Sequence, residues 1–579
     1  MKKTLLFSVA LAGLMLGSCS SSDDLNGGNN TGSNQSGKGY VAFNINLPTQ
    51  SGSSSRAGSE NDQFNDGTPN EYDVKNATLL LFDGADEASA TFKGAFALST
   101  EPWKNQSPAN SNITTKSKTI VQEVNGSFTD AKALVILNDN GLLNVTSTSL
   151  SVNGTPFTGT YSEFLKLASA TNGKTLTENG FYMANAPLCS EKGGDATPST
   201  SAKVTTLTDL KGKIYSSEAE AKANPAAEVY VERGVAKVTL HKNASVTTAD
   251  NGTTTKVAFD VTGWAIDNKN PETYLVRSTD DFDKWYGLHN SVVTTNPYRF
   301  VGQDPVAKNL YRTYFAKDMN YDTDATLSRV TATDFNKPVA DPQYCFENTF
   351  DVAHQNENQT TLATIKAKLN NGTDFYILGG DQTTLYTKAE LENFVKNKFL
   401  TVAKNWVDAN QAPGTTIEDG DLTVVFDTED AGTVKVSDIN VKALKLISSP
   451  AAYTNEITNV NKAVGEITHY KNGVSYYKVR IKHFGDDLTP WANGVNGVKE
   501  GDVYPATPTT GTTNDNWLGR YGVLRNNWYD ITVDGVKGLG SATVPEVTTD
   551  PDDNLKSYIS VKINVLSWAK RTQSATLGE

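Results

Sequence analysis

What this chain has least of narrows it first. Of 579 residues only three are cysteines, Cys19, Cys189 and Cys345, so no disulfide framework holds the fold. Once Cys19 is modified, Cys189 and Cys345 are left either to pair or, on the plainer reading, to pack as two buried apolar thiols. The five histidines, His241, His289, His354, His469 and His483, are scattered without ligand spacing. His-Glu-x-x-His, Cys-x-x-Cys, phosphate-loop and Gly-x-Ser-x-Gly motifs are all missing. No catalytic residue, metal ligand set or cofactor is therefore expected, and the chain reads as a non-enzyme. Acidic clusters at 322–324, 418–421 and 550–553 lack the alternating ligands and glycine of a calcium loop and read as solvated turns.

Basic charge is also short, 52 residues against 65 acidic, for a net −13. Residues 1–56 carry +2 (Lys2, Lys3, Lys38 and Arg56 against Asp23 and Asp24), so the remainder stands at −15. Such a surface repels nucleic acid and anionic lipid. Beyond the first residues no apolar run reaches membrane-spanning length.

What is present is β-forming. Forty-five glycines and many Thr, Asn, Ser and Val residues suit short strands separated by turns, and the length calls for two or more domains. Asp73–Phe82 and Lys132–Asn138 are short apolar runs closed by turn residues and read as buried strands. Val229–Leu240 reads as one long strand, with the turn-rich 249–253 after it marking a domain boundary. Helical spacing is confined to 161–170, 361–369 and 388–406; in the last, Leu391, Phe394, Val395, Phe399 and Val402 read as packing against a sheet.

The N-terminus is an address. Met1-Lys2-Lys3 precedes an apolar stretch, Leu5 to Leu16, of signal-peptide length. Leu16-Gly17-Ser18-Cys19 then resembles a bacterial lipobox, with Cys19 the lipidated residue. The Ser-Ser-Ser-Asp-Asp that follows at 20–24 resembles a surface-export signal, and residues 25–38 form a polar tether.

Two strands share one pattern. Val41, Phe43, Ile45 and Leu47 alternate with smaller or polar residues until Pro48. Near the C-terminus Ile559, Val561, Ile563 and Val565 repeat that spacing, so both segments suit the same groove. Between the first of them and the body lies a small-residue segment, 51–59, whose one basic residue, Arg56, offers a trypsin-like cut before Ala57.

Several segments together resemble the fimbrillin family of Bacteroidales, subunits of type V pili, and most nearly the major shaft subunit of the short fimbriae. They are Val231–Ala236, Tyr274–Arg277, Tyr344–Asn348, Tyr476–Arg480, Gly519–Tyr529 and the terminal Val561–Trp568, beside the lipobox and Arg56. The resemblance implies a mainly β chain of two tandem β-sandwich (transthyretin-like) domains with a few short helices. Its expected parts are a signal peptide (1–18), a lipidated propeptide with tether and first strand (19–56), an N-terminal domain (57–247), a C-terminal domain (248–556) and a donor strand (557–579).

The resemblance also implies export as an outer-membrane lipoprotein, removal of the first strand by an Arg-specific protease, and occupation of the vacated groove by another subunit's C-terminal strand. Partners would be identical subunits head to tail, accessory tip and anchor proteins, and a host or bacterial surface receptor. The lipid would hold only the precursor to the outer membrane. Anchor subunits tend to lack the cleavable Arg and tip subunits the donor strand; this chain has both. Rival readings are a tip or anchor subunit and a monomeric surface lipoprotein that binds glycans, the latter on Tyr521, Trp528 and Tyr529, which are more often packing residues in a β-sandwich.

Overall fold

A computed structural model describes residues 38–47, 64–65, 67–100, 117–167, 176–191, 203–283, 300–307, 309–323, 326–349, 351, 354–483, 519–550 and 568–577. The chain is mainly β, built of several sheets with few helices.

The largest sheet runs, edge to edge, Thr91–Ala97, Ala77–Asp83, Ala131–Leu137, Met183–Asn185, Ala227–Arg233, Lys38–Asn46 and Ser117–Asn125. Ala77–Asp83 and Ala131–Leu137 are the two apolar runs legible in the sequence, and they pair antiparallel with Leu80 opposite Leu134. All large apolar side chains of both strands are buried, as expected of strands covered on two faces. The first strand, Lys38–Asn46, lies second from the edge, parallel to Ala227–Arg233 and antiparallel to Ser117–Asn125.

The long strand expected over 229–240 is two strands. Ala227–Arg233 belongs to the first sheet, and Ala236–Lys242 joins a second sheet beside Gln343–Cys345 and Asn527–Val536. The chain changes sheets at Gly234, where a Cβ would stand 2.8 Å from the Tyr182 ring. Periodicity cannot report a change of sheet, because both halves alternate alike.

A second correction concerns 361–369. Helical spacing was expected there, but Leu362–Leu369 is a central strand between Val257–Asp267 and Val474–Arg480. Leu362, Ile365 and Leu369 imitate a helical stripe, yet Ala363 and Ala367 are equally buried. With both faces covered, tertiary context overrides local preference.

The other two helical readings hold with altered ends. Tyr161–Leu165 opens with a capping box in which Thr160 and Glu163 exchange bonds. The 388–406 pattern becomes Lys388–Val402, capped by Thr387 and Glu390, and Lys404–Asn410, with a break at Ala403. Leu391, Val395 and Phe399 are buried and Phe394 is partly so, whereas Val402 is exposed. Lys388–Val402, Lys404–Asn410 and Thr454–Val464 pack on small sheets formed by the chain between residues 370 and 473. Among the described residues no helix is long and apolar enough to cross a membrane.

Candidate functional site

The first strand carries the pattern on which the sequence reading turned. Val41, Phe43 and Ile45 are fully buried and Leu47 is 2% exposed, all in the core of the largest sheet. Full burial of four such side chains contributes roughly 6–12 kcal/mol, an upper bound before ordering costs. The opposite face is held from the surface: Lys38 pairs with Glu123 at 3.0 Å, Tyr40 donates to Glu123 at 3.0 Å and Asn44 to Glu228 at 2.6 Å. Exposed pairs of this kind contribute little. The strand is therefore fixed by its apolar face and its two backbone ladders.

Of the other residues named from sequence, Cys19, Arg56, Ala57, Ile559, Val561, Ile563 and Val565 lie outside the described residues. The structure does describe a closing strand just beyond the last four, Trp568–Leu577. It runs parallel to Asn527–Val536 and pairs on its other edge, antiparallel, with Phe64–Asn65.

Four of the family-like segments, Val231–Ala236, Tyr274–Arg277, Tyr344–Asn348 and Gly519–Tyr529, meet in one buried junction between the first sheet and the second. Arg277 makes a bidentate pair with Glu232, at 2.9 and 2.7 Å. Arg525 pairs with Glu347 through Nε at 3.0 Å and also reaches Thr273 and the Tyr274 carbonyl. Arg233 donates to the Glu71 carbonyl at 2.7 Å. The Glu71 carboxylate accepts from Lys237 Nζ at 2.7 Å and from Tyr344 OH at 2.6 Å. Burial works against ionisation of Glu71, but Lys237 and Tyr344 outweigh it and hold its carboxyl below the ordinary range. Gly522, at φ +94°, lets the Gly519–Tyr529 segment pass so close to Asn348 that a Cβ would sit 2.4 Å from its carbonyl oxygen. A missing partner in such a junction leaves a buried charge uncompensated. Sequence reading found the segments but not Glu71 or Lys237, whose partners lie far away along the chain.

Other buried carboxylates lie outside these pairs, Glu357 and Asp318 among them. Glu357, fully buried, pairs with Lys478 and accepts the Thr548 N–H at 2.7 Å, while its own N–H donates to the Asp550 carbonyl at 3.0 Å. It clasps the chain as it leaves toward the C-terminus. Asp318 accepts the Asn320 N–H at 2.6 Å and both the N–H and hydroxyl of Thr349, and burial pushes its carboxyl up to about 7.

Both described thiols are free and buried, and burial raises them to about 11 for Cys189 and about 12 for Cys345. His354, His469 and His483 are buried, and His289 lies outside the described residues. No group of three His, Cys, Asp or Glu side chains with metal-binding spacing occurs among the described residues. Tyr529 is fully buried, with its hydroxyl bonded to His483 and the Leu524 N–H, and Tyr521 is 5% exposed. Both rings are largely packed inside, and the third named with them, Trp528, is partly buried beneath Lys237.

Comparison with known proteins gives one family match. Residues 503–574 match the model described as the major fimbrial subunit protein type IV, fimbrillin, C-terminal. The match includes the Gly519–Tyr529 segment and supports the fimbrillin family for this chain, with shaft and accessory roles undistinguished. No curated protein matches.

Among solved structures, the chain is similar to a putative cell adhesion protein from Parabacteroides distasonis, with 12% identity over 58% of this chain and 77% of that one and a TM-score of 0.27. A fimbrial assembly protein from Parabacteroides distasonis has 12% identity over 56% and 81%, with a TM-score of 0.25. A C-terminally truncated tip fimbrial protein from Porphyromonas gingivalis has 10% identity over 57% and 77%, with a TM-score of 0.24.

Proposed function

We propose that this chain is the polymerising subunit of a cell-surface fimbria that supports adhesion. In this reading it is exported as a lipoprotein anchored through Cys19 in the outer membrane and cleaved between Arg56 and Ala57 by an Arg-specific protease. It then joins identical subunits head to tail by donor-strand exchange. The units are the domains 57–247 and 248–556, each a β-sandwich, with residues 557–579 as the donor. Accessory tip and anchor proteins would complete the fibre.

A fimbrial role as such rests on the family match. The observation that carries the finer reading is the burial of Val41, Phe43, Ile45 and Leu47 in a strand paired along both edges. Its removal would uncover an apolar slot and leave Ala227–Arg233 and Ser117–Asn125 as open edges. Ile559, Val561, Ile563 and Val565 have the matching spacing, and strand addition to an open edge is a general mode of recognition. A contact made from one subunit's slot to the next one's tail does not close on itself, so it builds a filament.

Mass spectrometry of the N-terminus of surface-sheared protein tests the first half. A chain starting at Ala57 supports cleavage, whereas an abundant surface form that retains lipidated Cys19 overturns it. Deletion of residues 557–579 tests the second half: high-mass polymers should vanish, and a surviving ladder would refute the donor assignment.

A further inference from the structure

The tail matches the first strand on its outward face as well as on its apolar one. Residues 38–47 read Lys-Gly-Tyr-Val-Ala-Phe-Asn-Ile-Asn-Leu, and residues 556–565 read Lys-Ser-Tyr-Ile-Ser-Val-Lys-Ile-Asn-Val. With the four apolar positions aligned, Lys38 falls on Lys556, Tyr40 on Tyr558, Ala42 on Ser560 and Asn44 on Lys562. These positions lie on the other face of the strand, so the apolar alternation did not require them to agree.

The slot has a definite place for each. Glu123, opposite Tyr40 in the register, pairs with Lys38 at 3.0 Å and accepts the Tyr40 hydroxyl at 3.0 Å. Glu228, opposite Asn44 on the other neighbouring strand, accepts its Nδ2 at 2.6 Å. Between them Ala42 is 3% exposed, so its place holds a small side chain. Tyr40 also exchanges both backbone bonds with Tyr215, at 2.8 and 2.9 Å, which fixes its position along the slot. Sliding the tail by one residue would turn its apolar face outward. Sliding it by two keeps that face in the core, but it puts Tyr558 or Lys562 in the buried place of Ala42 and takes Lys562 away from Glu228. One alignment alone gives Glu123 a lysine and a tyrosine, the place of Ala42 a serine and Glu228 a lysine.

We propose that the outward face of the slot sets the register of the strand that enters it, Glu123 receiving Lys556 and Tyr558 of a second copy of this chain and Glu228 receiving its Lys562. The inference rests on the donor-strand reading above and adds the residues that choose the alignment. Exposed contacts of this kind are too weak to seat a strand, but register is decided by differences between alignments that share the same apolar burial. Asn44 is neutral, so Lys562 gives Glu228 a charged partner that the first strand does not, and charged hydrogen bonds are the stronger ones. The direction follows too: the match holds only for a strand that lies parallel to Ala227–Arg233, as the first strand does.

Polymer growth of full-length chains treated with an Arg-specific protease, followed as a ladder on gels, tests the proposal. Lys562→Glu and Glu228→Lys should each slow growth by about three- to tenfold at low salt and by less at high salt. The two changes in one chain should restore the rate to within about twofold, a rescue that a merely structural role for either residue does not give. Ile563→Asp, on the apolar face, is the control for the donor-strand reading itself. If it stops growth while both charge variants grow at the wild-type rate, the register proposal is overturned and the donor-strand reading stands. A double variant no faster than the single ones overturns it equally. If growth survives Ile563→Asp, both fall.

Discussion

Lys237 Nζ stands 2.7 Å from Glu71 Oε1, and both side chains are at most 4% exposed. Glu71 comes from the short helical turn Pro69–Glu71, and Lys237 from the strand Ala236–Lys242 of the second sheet. Lys237 also lies over the Trp528 ring, 3.9 Å from its centroid. Truncating either partner strands a buried charge. Lys237→Met should therefore destabilise by about 3–5 kcal/mol in urea unfolding, and the double exchange Glu71→Gln with Lys237→Met should cost clearly less than the two single ones summed.

The first strand gives a prediction that depends on the form of the chain. Phe43→Ala in the full-length protein should lower stability by about 3–5 kcal/mol, as expected for a fully buried aromatic. Asn44→Ala, on the exposed face, should cost less than about 1 kcal/mol. Equal effects in chemical denaturation would show that the burial pattern does not fix the strand.

Glu87 predicts a pH dependence. Burial raises its carboxyl from 4.5 to about 7, only partly opposed by the Thr206 and Leu207 N–H groups it accepts. A carboxyl raised on folding is neutral in the native state at low pH. Its favourable share is complete below about 4.5 and is lost as pH rises through about 7. Glu87→Gln should flatten the stability profile across that window, read from melting temperatures at pH 4 to 8. A wild-type profile already flat there would refute it.

Glu357 should act as a clasp on the outgoing chain. Glu357→Ala removes the acceptor of the Thr548 N–H and the partner of Lys478. Hydrogen exchange of the 544–550 peptide should quicken by about tenfold or more, the equivalent of about 1–3 kcal/mol, while the first sheet keeps its protection.

How much could be read beforehand follows from what each element shows locally. Ala77–Asp83 and Ala131–Leu137 were legible because continuous apolar runs bounded by Asp or Asn have few other uses. The helix Lys388–Val402 was legible because Leu391, Phe394, Val395 and Phe399 recur at helical spacing. Leu362–Leu369 misled because Leu362, Ile365 and Leu369 fall at helical intervals, and nothing in nine residues reveals two flanking strands. The junction was half legible: its segments stood out as family-like, but Arg277 and Glu232 are 45 positions apart and Arg525 and Glu347 178 apart. Single charged residues such as Glu71, Glu357 and Asp318 resemble solvated surface until the fold closes over them.

The placement of Lys38–Asn46 has a mechanical side. A strand bonded to neighbours along both edges, with its side chains keyed into a core, resists a pull along its own axis with every rung of both ladders at once. Any strand seated in that slot would be loaded in shear rather than peeled rung by rung, which is the geometry a thread needs to bear tension.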